Sequence, residues 1–352
     1  MQEAVEREAT KPEAPPLRTF SDADTGNMSQ ESVELASAQS ATAMRPVRMR
    51  TSPVGDRIFS FALFFASYMV LAVVAGLFVV LLQRSLPAMH AIGWRAFSTL
   101  WSPNDEQFGV LSFVYGTIVT SMVALLVAGP IGIGAALFLA ELAPRRLATP
   151  VAMLIELLAA VPSVVYGIWG LFVLAPFVRT YLGPALQHIF GFLPSFQGPI
   201  YGVGMLAGGL ILAIMVVPTV AAISRDVFEA VPNDQREGML ALGATKWEMM
   251  TKAVLPYARS GVIGALVLGL GRALGEAMAV VMVIGNKPQI VASLFAPGYT
   301  MASVLANEFS EATGKIYISM LIEIGLLLFI VSLVVNIVAR LLVWNASGRG
   351  RR

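Results

Sequence analysis

The stretch "VPNDQREGMLALGATKWEMMTKAVLPYA", Val231 to Ala258, decides how the rest of the chain is read. A short helix starts after Pro232 and Asn233 and stops at Gly243, and Thr245 opens a second helix with Glu248 three residues on, the spacing of a capping box. Pro256 is expected to stop or kink that second helix, because it lacks an N–H and its ring crowds the turn before it. A helix, a tight turn and a second helix form more than a connector needs, since neighbouring elements are usually joined by a few residues. A DNA-binding reading fails: the segment mixes acids with bases and is tied at both ends to apolar runs.

Those flanking runs set the class. The chain has 352 residues, 57% hydrophobic and only 13% charged, with a mean hydropathy of +0.74, too little polar surface for a soluble globule. It reads as an all-α membrane protein with six spans, near 58–82, 111–141, 148–177, 200–224, 259–285 and 315–343. At about 1.5 Å per residue each is long enough to cross a hydrocarbon core of roughly 30 Å. Pro130 in "VAGPIGIGAALF" and Pro162 in "LLAAVPSVVYGIWG" fit kinked, closely packed spans. A formal net charge of +2 gives no case for nucleic acid as a partner, and the absence of cysteine excludes disulfides and thiolate chemistry. His90 and His188 are too far apart in sequence to suggest a metal site.

Residues 1–57 differ from all that follows. Stretches such as "KPEAPP" and "SQESVELASAQSATA" have no sustained apolar period, so a disordered tail is expected. No signal peptide is expected, since the first apolar run begins only near Ile58. Basic residues set the orientation. Arg45, Arg48, Arg50 and Arg57 precede the first span and Arg145 and Arg146 follow the second. Arg225, Arg236, Lys246, Lys252 and Arg259 lie between the fourth and fifth spans, and Arg340, Arg349, Arg351 and Arg352 end the chain. The other side has Arg84, Arg95, Arg179, Lys287 and Lys315. The positive-inside rule puts both termini and the 225–258 loop in the cytoplasm and the 83–110, 178–199 and 286–314 loops outside.

Glu237, five residues, Gly243, then Leu255 and Pro256 resemble the "EAA" loop of ATP-binding-cassette importer permeases. Gly238 and Met239 stand at its two alanine positions and Ala253 at its isoleucine. "ELLAAVPSVVYGIWGL" at Glu156 to Leu171 and "GRALGEAMAVVMVIGN" at Gly271 to Asn286 resemble the C-type permease of phosphate-specific (Pst) transporters, with "NIVARLLV" at Asn336 to Val343 in support. Ala277 stands where many relatives have threonine. The likeness covers about 58–345 and implies a six-helix type I ABC importer permease of the inner (plasma) membrane. It also implies a homologous A-type permease partner, a cytoplasmic ATPase dimer carrying the ATP and Mg, and an external phosphate-binding protein. Glu237, Gly238, Ala241, Gly243, Leu255 and Pro256 would then meet the ATPase, and no cofactor would belong to this chain. The A-type sister subunit and a permease for another substrate are the near alternatives.

The run from Gly269 to Asn286 is apolar but for Arg272 and Glu276, whose ionised forms are costly in a bilayer. Two readings compete: an i, i+4 pair that neutralises itself on one helix face, or groups lining an anion path. The path is preferred, because Arg before Glu is the poorer order for an intrahelical pair and a guanidinium fork matches phosphate oxygens. A nearby carboxylate can accept the proton of hydrogen phosphate, which sulfate lacks, so the pair would also discriminate. Glu156 either supports that path or is bonded within the bundle; Glu323 is read as structural. The expected function is inward transport of inorganic phosphate, with hydrolysis left to partners, since no G-x4-G-K-[ST] loop is present. An ion-coupled secondary transporter is a weaker reading because no paired inverted repeats are visible.

Overall fold

A computed structural model describes residues 53–348. The tail expected over 1–57 therefore lies outside the described residues except for its last few, and those already belong to a helix. The helices are α1 Pro53–Ala91, α2 Leu111–Leu142, α3 Arg145–Ala160, α4 Ser163–Phe190 and α5 Met205–Glu229. There follow α6 Asn233–Ala241, α7 Lys246–Gly275, α8 Met278–Val283, α9 Met301–Glu308 and α10 Lys315–Gly348. Six of them, α1, α2, α4, α5, α7 and α10, are long and apolar enough to cross a membrane. The chain divides into compact units at Val70 and Leu71, and all packing and sites described below belong to the second.

Two spans differ from the expected ones. The apolar run 148–177 is not one helix: α3 stops at Ala160, Val161 and Pro162 are extended, and the span proper is α4, displaced to 163–190. Pro162 has no N–H to continue the ladder and holds the residue before it out of the α region. The run 259–285 is also broken. The helix begins well before it, at Lys246, and ends at Gly275, and α8 restarts after an extended Glu276. Smaller shifts move the first span to 53–91 and the fourth to 205–229.

Pro256 does not stop α7. A π turn over Met250–Val254 precedes it and the helix continues. The same pairing recurs at every π turn among the described residues: Phe138–Leu142 before Pro144, Gly170–Leu174 before Pro176, and Val178–Leu182 before Pro184. A proline ring clashes with the carbonyl four residues back. A wide turn ending two residues ahead moves that carbonyl aside, so three of the four prolines sit inside membrane helices without ending them.

The core is built around α5, whose Ala207, Ile211, Leu212, Ala213, Met215, Val216, Val220 and Ala221 are buried. Helix α2 lies against it. At Gly209 a Cβ would stand 2.5 Å from Val123 Cγ1, so only glycine permits this helix separation. At the end of α5 remote from α6, the connecting segments are folded rather than loose. Leu206 N donates to Leu294 O and Gly204 N to Val283 O, and Met301 N at the start of α9 donates to Thr117 Oγ1 of α2.

Candidate functional site

Arg272 lies in the last turn of α7, and Glu276 falls in the break that follows, with φ −74° and ψ 121°. They are therefore not an i, i+4 pair on one helical face, and no ion pair joins them. This corrects the premise of a continuous helix. Each charge instead has a helix end: the unpaired carbonyls closing α7 favour the guanidinium, and the first N–H groups of α8 favour the carboxylate. Glu276 Oε1 accepts from Ala279 N at 3.4 Å, and Arg272 Nη1 donates to Thr219 Oγ1 of α5, also at 3.4 Å. Both side chains are half-buried.

Tyr166, in the first turn of α4, is within electrostatic reach of the Arg272 guanidinium and donates its hydroxyl to Leu158 O at 2.8 Å. Helix α4 is seated closely on α8, since a Cβ at Gly167 would meet Met282 Sδ at 2.6 Å and Ala279 Cα at 3.1 Å. Helices α4 and α5 thus meet Arg272 of α7, with Thr219 about midway along α5. Thr219 and Tyr166 were not singled out from sequence, although a polar residue in "VVPTV" and the tyrosine of "VVYG" are visible once spans are assigned. Glu156 is elsewhere: it lies on α3, outside the spans, exposed in this chain, and makes no ion pair. The expected span 148–177, which carried it, had fused α3 with α4. Glu323 is buried in α10, and its Oε2 has no hydrogen-bond partner.

The helix pair of the 225–258 loop has the turn chemistry the sequence called for. Gly243 has φ 82°, its N donates to Leu240 O and Ala244 N donates to Met239 O, the two bonds of a Schellman motif closing α6. Thr245 Oγ1 accepts from Glu248 N at 3.2 Å, and Glu248 Oε2 accepts from Thr245 N at 3.1 Å, a complete capping box. Glu237, Gly238, Ala241, Gly243 and Pro256 are exposed and Leu255 is half-buried. Arg236, beside Glu237, turns inward: Nε donates to Glu141 Oε1 at 3.0 Å and Nη2 to the same oxygen at 2.8 Å. Nη2 also donates to Phe228 O at 2.7 Å, and Nη1 donates to Val231 O and to Asn233 Oδ1 at 3.2 Å.

Two cavities open at the opposite end. One, about 630 Å³, is lined by Lys287, Gln197, Gln289, Ser293 and Tyr201 with no acidic residue. The other, about 1020 Å³, is lined by Glu106, Glu308 and Glu311 beside Lys315. Glu308 Oε2 is a structural anchor there, accepting from Trp101 Nε1 at 3.0 Å and Tyr317 Oη at 2.7 Å. Burial pushes the neighbouring Tyr299 hydroxyl far above its usual range, so it remains a neutral acceptor for Asn307 Nδ2.

Six spans, a capped helix pair at one end and a broken helix within the bundle make up the described architecture. The family described as "Binding-protein-dependent transport system inner membrane component" matches residues 128–344, and the chain belongs to it. Its relatives include the phosphate transport system permease protein PstC of Mesorhizobium japonicum, 43% identical over 310 residues, covering 87% of this chain and 95% of that one. PstC of Xylella fastidiosa is 50% identical over 255 residues, covering 71% and 78%. Among solved structures, a bacterial ABC transporter involved in import of the acidic polysaccharide alginate aligns with a TM-score of 0.54 at 16% identity, covering 83% of this chain and 98% of its own. That last likeness supports the type I fold alone. The chain is thus a multi-pass inner-membrane permease component.

Proposed function

We propose that this chain is the C-type permease subunit of an ATP-driven importer of inorganic phosphate. The observation that carries the reading is Arg272: a guanidinium inside the bundle whose one hydrogen bond is a long one to a threonine, with no carboxylate paired to it. A charge so placed is costly unless it serves a ligand. The relatives named for phosphate transport support phosphate as that ligand. Glu276, with one oxygen on Ala279 N, keeps the other for the proton of hydrogen phosphate. Of the two cavities opposite the helix pair, the acid-free one with Lys287 suits an approaching anion better than the one ringed by glutamates.

The proposed partners are a homologous A-type permease, which completes the path, two ATPase subunits carrying ATP and Mg, and an external phosphate-binding protein. The exposed face of α6 and the start of α7, with Glu237, Gly238, Ala241 and Gly243, docks on the ATPase at the cytoplasmic side. ATP binding closes the ATPase dimer, the helix pair moves with it, and the paired permeases open outward to accept phosphate. Uptake into vesicles containing the reconstituted complex tests this. Phosphate should accumulate only with internal ATP, even under an imposed proton gradient; uptake driven by the gradient alone would reject the assignment.

A further inference from the structure

The Arg236 guanidinium is saturated. Its five N–H groups find Glu141, Phe228 O, Val231 O and Asn233 Oδ1, joining the terminal π turn of α2, the last turn of α5, the turn that follows it and the first residue of α6. Glu141 is 95 residues away in sequence, and the paired side chains are only 5% and 17% exposed. The other two ion pairs among the described residues, Arg225–Glu229 and Lys252–Glu248, lie within single helices and are more exposed. Helix α6 buries no residue of its own. Its packing on the core runs through the half-buried Met239, which lies against the cluster of Phe228, Val231, Met249, Met250 and Val254, so few side chains hold it beside the Val231–Pro232 turn.

We infer that the Arg236–Glu141 clamp is the positioning device that makes α6 move as one body with α2 and α5. A push received on α6 then becomes a tilt of α5, which carries Thr219 and through it touches Arg272. Without the clamp the same push bends the Val231–Pro232 hinge and reaches the span only through the turn into α7. Glu141 has no contact with substrate in this scheme, and Arg236, facing inward, is distinct from the docking residues Glu237 and Gly243. A buried pair of this geometry is weak evidence for stability on its own, since apolar replacements are often as stable. Its joining of α2, the end of α5 and the start of α6 through one guanidinium points to position.

The inference rests on the proposed function, and the test separates the two. The complete reconstituted transporter, with its partner permease, ATPase and phosphate-loaded binding protein, is assayed for phosphate moved per ATP hydrolysed and for the amount of assembled complex. Arg236→Gln and Glu141→Gln should each lower phosphate per ATP by about fivefold or more in complex that assembles, while Arg236→Lys, keeping charge but losing the fork, falls between. The chain has no cysteine, so the Glu141→Cys, Arg236→Cys double variant joined by a short bismaleimide should recover most of the ratio, and the unjoined variant should not. If the variants lose assembled complex but keep phosphate per ATP, the clamp is only structural and the inference is overturned. Failure of the crosslink to restore the ratio overturns it as well. Failure of the wild-type complex to move phosphate rejects the proposed function instead.

Discussion

At the scale of single residues, the two charges inside the bundle are explained by a helix break. A continuous helix would have set Arg272 and Glu276 facing each other; the break gives each its own helix end. The consequence separates path from packing. Arg272→Gln should abolish phosphate uptake, and adding Glu276→Gln should not restore it, because neutralising the carboxylate cannot replace the anion's partner. Uptake and membrane abundance of both singles and the double decide this; a double variant that transports normally would remove Arg272 from the path. Gly243 is a second case. No atom lies within 4 Å of a Cβ added there, so a substitution meets no clash and only the positive φ matters. Gly243→Val should cost roughly 1–2 kcal/mol in the turn and impair ATPase assembly, whereas Gly243→Asn should be tolerated. Equal assembly of the two would show that the left-handed turn is not what docking requires.

These residues also show what sequence could tell. Gly243, Thr245 and Glu248 act on neighbours a few positions away, so spacing alone exposed their roles. Arg236 was visible only as one more positive charge in the loop, because its partner Glu141 lies in another helix. Thr219 is a small polar residue whose meaning depends on α7 crossing α5 at that level. Contacts between distant segments leave no local period, and the site consists of such contacts.

At the scale of elements, hydropathy found all six spans but misplaced the two that are interrupted. An apolar average does not register a helix that stops and restarts, so α3 was joined to α4 and α7 to α8. Proline was misleading in the opposite direction, suggesting a stop at Pro256 where a π turn carries the helix through. A π turn holds one residue more than the α-turn it replaces, equivalent to about 100° of rotation between the segments on either side. Pro256→Ala removes the reason for the wide turn. The start of α7 and the Schellman turn should then rotate relative to the span, lowering transport per ATP without loss of helix content. Circular dichroism alongside the transport assay checks this; unchanged coupling would mean that the π turn persists without its proline.

At the scale of the whole molecule, the arrangement has a polar end with the helix pair and an opposite end where folded segments surround two cavities. In the topology expected from the basic residues, the first faces the cytoplasm. Exposed positions suit a direct test: Lys246→Cys and Thr313→Cys both place a thiol at the surface of an otherwise cysteine-free chain. An impermeant maleimide should label Thr313→Cys in intact cells and Lys246→Cys only after permeabilisation. The reverse pattern would invert the topology.

The burial of the Arg236–Glu141 contact has a consequence for the cell as an osmotic system. Surface charges further apart than about 8 Å are largely screened at physiological ionic strength, and exposed pairs such as Lys252–Glu248 weaken as salt rises. A contact whose carboxylate is 5% exposed is little affected by that screening. Between roughly 50 and 500 mM potassium chloride, phosphate moved per ATP should therefore stay level even as the affinity between permease and ATPase drifts. Dehydration or swelling would change how many transporters are assembled while leaving the gearing of each one constant.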